Sequence, residues 1–532
     1  MRKFSFFILL IFAVTNSFAQ DDTGKNPNVE LPDFVITGSD ISTIQKGKKI
    51  ETEFIPLLDK TFFEPTYSPE DLKLHELSDP VRNLFNINDS SQYFVGKLEA
   101  KAGNYTLPSV SLSLSNPFNN GIFQFTFAGK NRRAFIENSE QYKVNGGVDI
   151  FYQLESESAI FNGTKFQFHG DYGRTSYQLY AANDPYIKRD LNKGKIILNM
   201  ENLLEEKFNY KIGMTDDIHS LQDNIFSENF LDFNAMFRFN PSELNFGVNT
   251  SYKVQFLKND IVQRSTKGFF SVKPFVGYRL NNHTKFSIGL NYFNIANFKK
   301  VYPYLFIGSK INDRISILAE YSPQVIVAGS GFFLDRNPYF YIHNFVNLAY
   351  EKKSSINISA KYEFDKYYEI NGGIKYYSSD EAPYFASSAL DGRFNIHHIS
   401  AKSYSGYINL LFHLGPYGFF YGTIELSQTK TKDGLILPYH PAINSFLTYG
   451  YNFDMGLKLQ LTLDYQSMKY TDIVNSNSLN PFVNLSMNLT YTISQEFNLT
   501  FDLNNMLNRK DYQWFNYQES QLDFSAGIVY RW

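Results

Sequence analysis

Apolar and polar residues alternate along the C-terminal part of this chain. In residues 522–532 one set of alternate positions is apolar or aromatic, and the intervening set includes Asp523, Ser525 and Arg531. Successive side chains of a strand point to opposite faces, so the pattern predicts a strand with one apolar and one polar face. Its length suits a strand that crosses a membrane at a tilt. The alternative is an exposed edge strand of a soluble β-sandwich.

The same alternation recurs upstream, in residues 457–466, 485–491 and 497–504. Leu461 and Met487 fall on the apolar face, whereas Gln460 and Ser486 fall on the polar face. Soluble strands seldom run this long and this uniformly without a proline or a bulge. Lipid on one side and water on the other explain the pattern. The sequence therefore predicts an all-β fold, a transmembrane antiparallel β-barrel.

The barrel is expected to occupy residues 92–532. At about ten residues per strand and a similar length per connection, this stretch provides roughly 22 strands, with 20 or 24 as alternatives. Separate strands are predicted at 165–169, 176–181 and 345–350, and a long external loop at 378–405. Short turns lie on the periplasmic side of such barrels and longer loops lie outside. With Trp532 in the periplasm, the predicted loops are 429–444, 470–482 and 506–521, and the predicted turns are 415–418, 453–456 and 494–495.

Composition narrows the class of protein further. The mean hydropathy is -0.31 and no internal run of eighteen apolar residues occurs, which argues against helical membrane spans. Phe and Tyr number 52 and 38 against 2 Trp, so they must supply the aromatic girdles at the two membrane interfaces. A net charge of -3 argues against nucleic acid as a partner.

The N-terminal region has a different character. Residues 1–19 combine a basic start, an apolar stretch and a small-residue end at Ala19, which predicts a signal peptide. Residues 20–91 are polar, with scattered prolines, and are expected to form a periplasmic arm. Within the arm, residues 29–38 are β-prone and suited to adding a strand to a partner sheet; the alternative is a strand inside the barrel or a disordered one. The absence of cysteine excludes a lipid-anchor cysteine, disulfides and thiolate metal sites.

Three stretches resemble TonB-dependent receptors. The C-terminal signature of that family is similar to residues 504–512, 515–517 and 527–532. Gly103 and the residues after it resemble barrels of the Bacteroidetes type. Residues 29–38 resemble the TonB box. The resemblance implies solute uptake in the cell outer membrane, with outer-membrane lipid around the barrel. It also implies that a TonB-like periplasmic protein binds the box, through Asp33, Phe34, Val35, Ile36, Thr37 and Gly38.

The chain departs from that family in one respect. A folded plug domain follows the TonB box in the family, but residues 39–91 are too short and lack a core of domain size. A lumen of 22 strands is too wide for wall side chains to fill. The candidates for filling it are the arm, inward-folded loops or a partner protein. A passive porin and a membrane scaffold for another protein are therefore alternatives to energy-coupled uptake.

Few residues suggest chemistry. His397 and His398 are adjacent, and neighbours on a strand point to opposite faces, so solvated histidines are expected rather than a metal site. No Ser/His/Asp or paired-carboxylate motif indicates an enzyme, and no cofactor motif occurs. Aromatic rings in the predicted loops could form a platform for a flat or sugar-like ligand; the alternative is loop packing. These rings are Tyr384, Phe385, Trp514 and Tyr517.

Overall fold

The computed structural model describes residues 95–532, apart from gaps at 157, 159–160, 204–206, 222–225, 260–263, 282, 296–297, 343–344, 346–347, 365–367, 389–391 and 415–416. The predicted signal peptide, the arm and its segment 29–38 lie outside the described residues. Within the described part of the chain, no helix is long and apolar enough to cross a membrane.

Twenty-two antiparallel strands form one closed sheet. The first strand pairs with the second and also with the last, for example Leu98 with Leu112 on one side and with Tyr530 on the other. The barrel strands are β1 Gly96–Gly103, β2 Thr106–Phe118, β3 Gly121–Arg132, β4 Gln141–Gln153, β5 Lys165–Gln178, β6 Lys188–Asn202, β7 Phe208–Leu221, β8 Ser227–Phe239, β9 Leu244–Lys258, β10 Ser265–Asn281, β11 Thr284–Ile295, β12 Phe298–Lys310, β13 Ile315–Tyr321, β16 Ser354–Phe364, β17 Tyr368–Ser387, β18 Phe394–His413, β19 Phe419–Thr431, β20 Ile443–Asn452, β21 Leu457–Gln466, β24 Phe482–Thr492, β25 Phe497–Asn504 and β28 Asp523–Arg531.

Short elements outside this sheet lie in its long connections. Among the residues that the structure describes, they form three two-stranded sheets and one helix. These elements are β14 Gln324–Ala328, α1 Ser330–Arg336, β15 Leu348–Lys352, β22 Lys469–Tyr470, β23 Ser478–Leu479, β26 Tyr512–Trp514 and β27 Tyr517–Gln518. All of them belong to connections at one end of the barrel, the loop end. The long-loop rule makes this end extracellular.

The predicted barrel and its 22 strands are confirmed, while four predicted segments are wrong. Residues 165–169 and 176–178 belong to one strand, β5, and residues 179–181 follow its end. The wall strand predicted at 345–350 is wrong, because β15 pairs with β14 in a sheet apart from the barrel, and its Tyr350 packs into an aromatic cluster instead of facing lipid. The loop predicted at 378–405 is wrong for most of its length: β17 and β18, each twenty residues long, occupy 378–387 and 394–405 of it. An irregularity between Ser379 and Ala382 breaks the alternation.

The register agrees with the predicted faces of the last strands. Leu461 lies beside Met487, and Met487 lies beside Leu503 on the apolar face. On the polar face Gln460 lies beside Asn488, which pairs in register with Asp502. The Asp502 carboxylate accepts a hydrogen bond from Asn488 and lies 2.8 Å from Lys101 Nζ on β1. The polar side chains therefore form an interior network.

Introducing a charged residue tests which face of β21 meets the lipid. A lysine at Leu461 is expected to impair assembly far more than a lysine at Gln460, because a lysine on the lipid face near the bilayer midplane costs about 2–4 kcal/mol. The folded fraction of each variant can be measured from the heat-dependent gel mobility of the barrel. Equal folded fractions for Leu461→Lys and Gln460→Lys would contradict the assignment.

Candidate functional site at the mouth of the barrel

A long connection between β13 and β16 folds across the loop end of the barrel. This crossing segment, residues 322–353, contains β14, α1 and β15. Its Phe333, Phe340 and Ile342 are at most 2% exposed. They pack with apolar side chains at the loop ends of distant wall strands, namely Tyr177, Leu179, Leu191, Leu221, Phe226 and Leu257. The crossing segment therefore closes part of the mouth through a hydrophobic core that it shares with the wall.

Arg189 of β6 attaches the crossing segment to the wall. Its Nη1 donates hydrogen bonds to the carbonyl oxygens of Pro338, at 2.7 Å, and Phe340, at 2.9 Å. The Tyr177 hydroxyl donates to the same Pro338 oxygen at 2.6 Å. Arg189 is only 5% exposed, so these carbonyl groups, rather than water, stabilise its positive charge. Hydrogen bonds to a charged group contribute about 1.5–3 kcal/mol each.

Glu228 of β8 forms a second attachment. Its Oε2 accepts a hydrogen bond from the backbone N–H of Ser330 at 2.6 Å, and its carboxylate also contacts the Ser330 hydroxyl and the Gln255 amide. Ser330 is the first residue of α1. Nearby, Lys193 of β6 forms an ion pair with Asp335 of the helix. Wall strands β6 and β8 thus hold one short helix of the crossing segment.

Two other connections complete the closure, which we call the roof. The β17–β18 hairpin joins the crossing segment through hydrogen bonds from Tyr341 N to Phe394 O, at 2.7 Å, and from Phe394 N to Tyr339 O, at 3.3 Å. The β25–β28 connection contributes Tyr517, whose ring stacks on Tyr339 with 3.3 Å between centroids and whose hydroxyl donates to Gly392 O.

The tip of the β17–β18 hairpin also meets the β5–β6 connection. Gly392 has a φ of +72°, and a Cβ added there would lie 2.6 Å from the Ala182 backbone. Only glycine fits this close approach without strain. The roof is therefore built from the crossing segment, the hairpin tip, the β5–β6 connection and the β25–β28 connection.

The roof contains three of the four aromatic residues that were predicted as a ligand platform. Phe385 and Tyr517 are 9% and 1% exposed, and the Trp514 ring lies 5.3 Å from the Phe385 ring. Tyr384 points away from them: it packs beside Ala382, with its ring 5.8 Å from that of His397. Burial of these rings fits the loop-packing alternative. Ligand contact stays a prediction, and it would require the roof to open.

The adjacent histidines lie within a strand. In β18, His397 is opposite Tyr384 and His398 is opposite Pro383, so the two imidazoles lie on opposite faces. Among the residues that the structure describes, no three His, Asp or Glu side chains are grouped as they would be around a metal ion.

Sequence reasoning missed the crossing segment. Its apolar residues pack into the roof, yet their spacing in residues 345–350 matches that of a wall strand. The sequence did contain a signal against a wall strand here, namely Pro323, Pro338 and the small residues 328–331. Proline and glycine are poorly suited to the interior of a strand and mark turns and loops instead. Inward-folded loops were among the predicted ways to fill the lumen, and this stays a prediction, since the crossing segment lies across the mouth of the barrel.

A buried amine in the connection between β21 and β24 makes the stability of this loop depend on pH. Lys469 of β22 is 5% exposed and donates to Gln466 Oε1 at 2.9 Å. Burial lowers the pKa of Lys469 to about 8, although the Glu519 carboxylate acts in the opposite direction. An unfolded loop would hold this proton up to an ordinary pKa of 10.5. The folded loop therefore binds fewer protons than the unfolded one between these two values.

We expect the free energy of opening this loop to rise between pH 8 and pH 10.5, by about 3 kcal/mol, because stability rises with pH wherever the unfolded state binds more protons. Hydrogen exchange of residues 467–482, corrected for intrinsic exchange rates, measures the change. Lys469→Met should remove the pH dependence. The same rise in Lys469→Met would show that Lys469 is not its source.

Comparison with known proteins supports the fold. No protein-family model and no curated protein matches the sequence. Among solved structures, the ferric enterobactin receptor PfeA of Pseudomonas aeruginosa aligns with a TM-score of 0.59 at 11% identity, over 82% of this chain and 80% of that one. The siderophore receptor PiuA of Acinetobacter baumannii aligns at 0.59 and 11%, over 83% and 82%. The FrpB iron transporter of Neisseria meningitidis aligns at 0.59 and 10%, over 83% and 82%.

Proposed function

We infer that the protein lies in the cell outer membrane, because its closed 22-stranded barrel has the fold of solved siderophore receptors. We propose that the protein takes up a solute across this membrane, with the roof closing the extracellular mouth between transport events. A TonB-like periplasmic protein would bind residues 29–38 and supply the energy for uptake. Neighbours of the same fold are named as siderophore receptors and iron transporters, which supports uptake as the general class.

The observation that carries the proposal is the roof. A passive porin needs an open mouth, but here Arg189 and Glu228 hold the crossing segment over it. A membrane scaffold for another protein needs no closing device of this kind. The strands of the crossing segment, β14 and β15, form a sheet apart from the barrel, so the crossing segment can move away from the wall without unpairing any barrel strand.

Single-channel recording of the purified full-length protein in a planar bilayer tests the proposal. A closed, gated barrel gives almost no steady conductance, and the proposal predicts this result. Large steady conductance would support the passive porin instead. A barrel that conducts only after a co-purifying protein has been stripped from it would support the scaffold.

A further inference from the structure

The imidazole of His219 packs against helix α1 of the crossing segment. His219 lies near the loop end of β7 and is 7% exposed. A Cβ added at Gly331 of α1 would overlap the His219 ring, so the ring meets the helix backbone directly. The register partner of His219 on β8 is Glu228, which accepts the hydrogen bond from Ser330. His219 and Glu228 therefore contact consecutive residues of α1 from adjacent wall strands.

This level of the wall lies outside the lipid belt. The outward-facing neighbour of His219 on β7 is Ser220, which lies between Asn192 of β6 and Ser227 of β8. The outer face of β7 becomes apolar only further towards the periplasm, at Met214. The lipid-facing band of a barrel is apolar, so these polar residues stand above it. His219 is therefore on the extracellular side of the membrane.

Only the neutral form of His219 suits this position. Its Nδ1 is buried and has no hydrogen-bond partner in the described part of the chain. A neutral imidazole can leave Nδ1 without a hydrogen, whereas protonation places an N–H on both nitrogens and adds a positive charge. A buried donor without an acceptor and a buried charge without a partner are both destabilising. Protonation of His219 therefore acts against the packing of α1 on the wall.

The carboxylates near His219 already have partners of their own. Asp335 of α1 pairs with Lys193, and Asp217 of β7 lies 3.7 Å from Lys195 Nζ. Among the residues that the structure describes, no carboxylate bonds to Nδ1 of His219, so none is placed to bind the proton that acid would add there. The charged side chains that face the ring from β6, β7, β8 and α1 are Lys193, Lys195, Asp217, Glu228 and Asp335.

The direction of the pH effect follows from the pKa of this histidine. Burial and the nearby Lys193 lower the pKa of His219 to about 4, although Asp335 acts in the opposite direction. With α1 moved away, the ring would return to its ordinary pKa of 6.5. Between these two values the open state binds more protons than the closed state, so the stability of the closed state falls as the pH falls from 6.5 to 4. Glu228 has the opposite effect, because burial raises its pKa.

We propose that protonation of His219 releases α1 from the wall, so that acid on the extracellular side opens the roof. The proposal rests on the proposed function, because it takes the crossing segment as the gate of an uptake barrel and adds a condition for its opening. Arg189 cannot supply this response, since an arginine stays protonated.

Hydrogen exchange of residues 329–337 in the full-length protein in detergent tests the switch, at pH 7.5 and pH 5 and corrected for intrinsic exchange rates. An ordinary carboxyl group, with a pKa of about 4, is still ionised at pH 5. We expect the equilibrium constant for opening of α1 to be at least about tenfold larger at pH 5. No such rise in the unmodified protein would overturn the proposal.

Matched histidine variants assign the effect. His219→Gln and His219→Asn each keep a neutral polar side chain, and both should lose the rise at pH 5, while Glu228 is present in every protein compared. His413→Gln changes a histidine at the turn end of β18, opposite Phe419, and should keep the rise. The same rise in the His219 variants, with the gel mobility of the folded barrel, would show that His219 is not the switch.

Single-channel recording at the same two pH values separates the switch from the proposed function. Opening of α1 at pH 5 together with a higher open probability supports both. Opening of α1 without any change in conductance would keep the switch and reject the crossing segment as the gate. Large steady conductance at both pH values would reject gated uptake, and the exchange data would still decide the switch.

Discussion

Replacing Arg189 with alanine is expected to convert a closed barrel into one that opens frequently. The change removes two charge-assisted hydrogen bonds that hold the backbone of the crossing segment at Pro338 and Phe340. Each contributes about 1.5–3 kcal/mol, and 1.4 kcal/mol corresponds to a tenfold change in an equilibrium. Single-channel recording should therefore show an open probability at least about tenfold above that of the unmodified protein.

Arg174→Ala provides the matched control. Arg174 lies on the neighbouring strand β5, and its Nη2 donates to Asp190 at 3.4 Å. Its loss should leave the conductance low. Similar conductance in the two variants, whether low or high, would show that Arg189 does not hold the gate.

Introducing proline at Val35 is expected to abolish binding of a TonB-like protein without opening the barrel. Residues 29–38 are proposed to add a strand to the partner sheet, where main-chain hydrogen bonds supply most of the affinity. Proline lacks the N–H that such pairing needs, whereas alanine keeps it. Affinity of the purified periplasmic domain of TonB for the full-length barrel should fall at least about tenfold for Val35→Pro and much less for Val35→Ala.

Deletion of residues 32–38 separates partner binding from the alternative role inside the barrel. If the segment binds TonB, the deletion removes binding and leaves the conductance low. If the segment fills the lumen, the deletion raises the conductance. The second result would contradict the proposed docking.

The barrel could be predicted from sequence because the membrane imposes a simple rule on every wall strand. Leu461 and Gln460 were assigned to opposite faces by alternation alone, and the pairing register agrees. Chain length divided by the length of a strand and its connection gave 22. These properties depend on local pattern and length, which the sequence contains directly.

The rule fails where both faces of a strand are apolar. In β12, Val301 and Leu305 are exposed on the outer face, while Tyr304 and Phe306, on the inner face, are 1% and 2% exposed. The inner rings pack with Phe275 of β10 and so cover part of the lumen wall. Their position depends on neighbouring strands, which no alternation pattern in β12 alone can indicate.

The roof could not be predicted for a related reason. Phe340, Phe394 and Tyr517 come from connections that are distant in sequence, and each packs only because the barrel brings these connections to one end. The apolar residues around Tyr350 were interpreted as lipid-facing because a roof core and a lipid belt demand the same residue types. Contacts across the mouth, rather than local spacing, distinguish the two.

The central claim, that the crossing segment moves to open the barrel, can be tested by fixing it to the wall. The chain has no cysteine, so Lys193→Cys and Asp335→Cys, at the positions of an ion pair between wall and helix, can be joined by a cleavable thiol-specific cross-linker. The two cysteines would be introduced into the Arg189→Ala variant, and its single-channel conductance would be recorded before and after cross-linking. The conductance should disappear on cross-linking and return after reduction, while either single cysteine has no effect. Unchanged conductance in the cross-linked protein would contradict the claim that this segment is the gate.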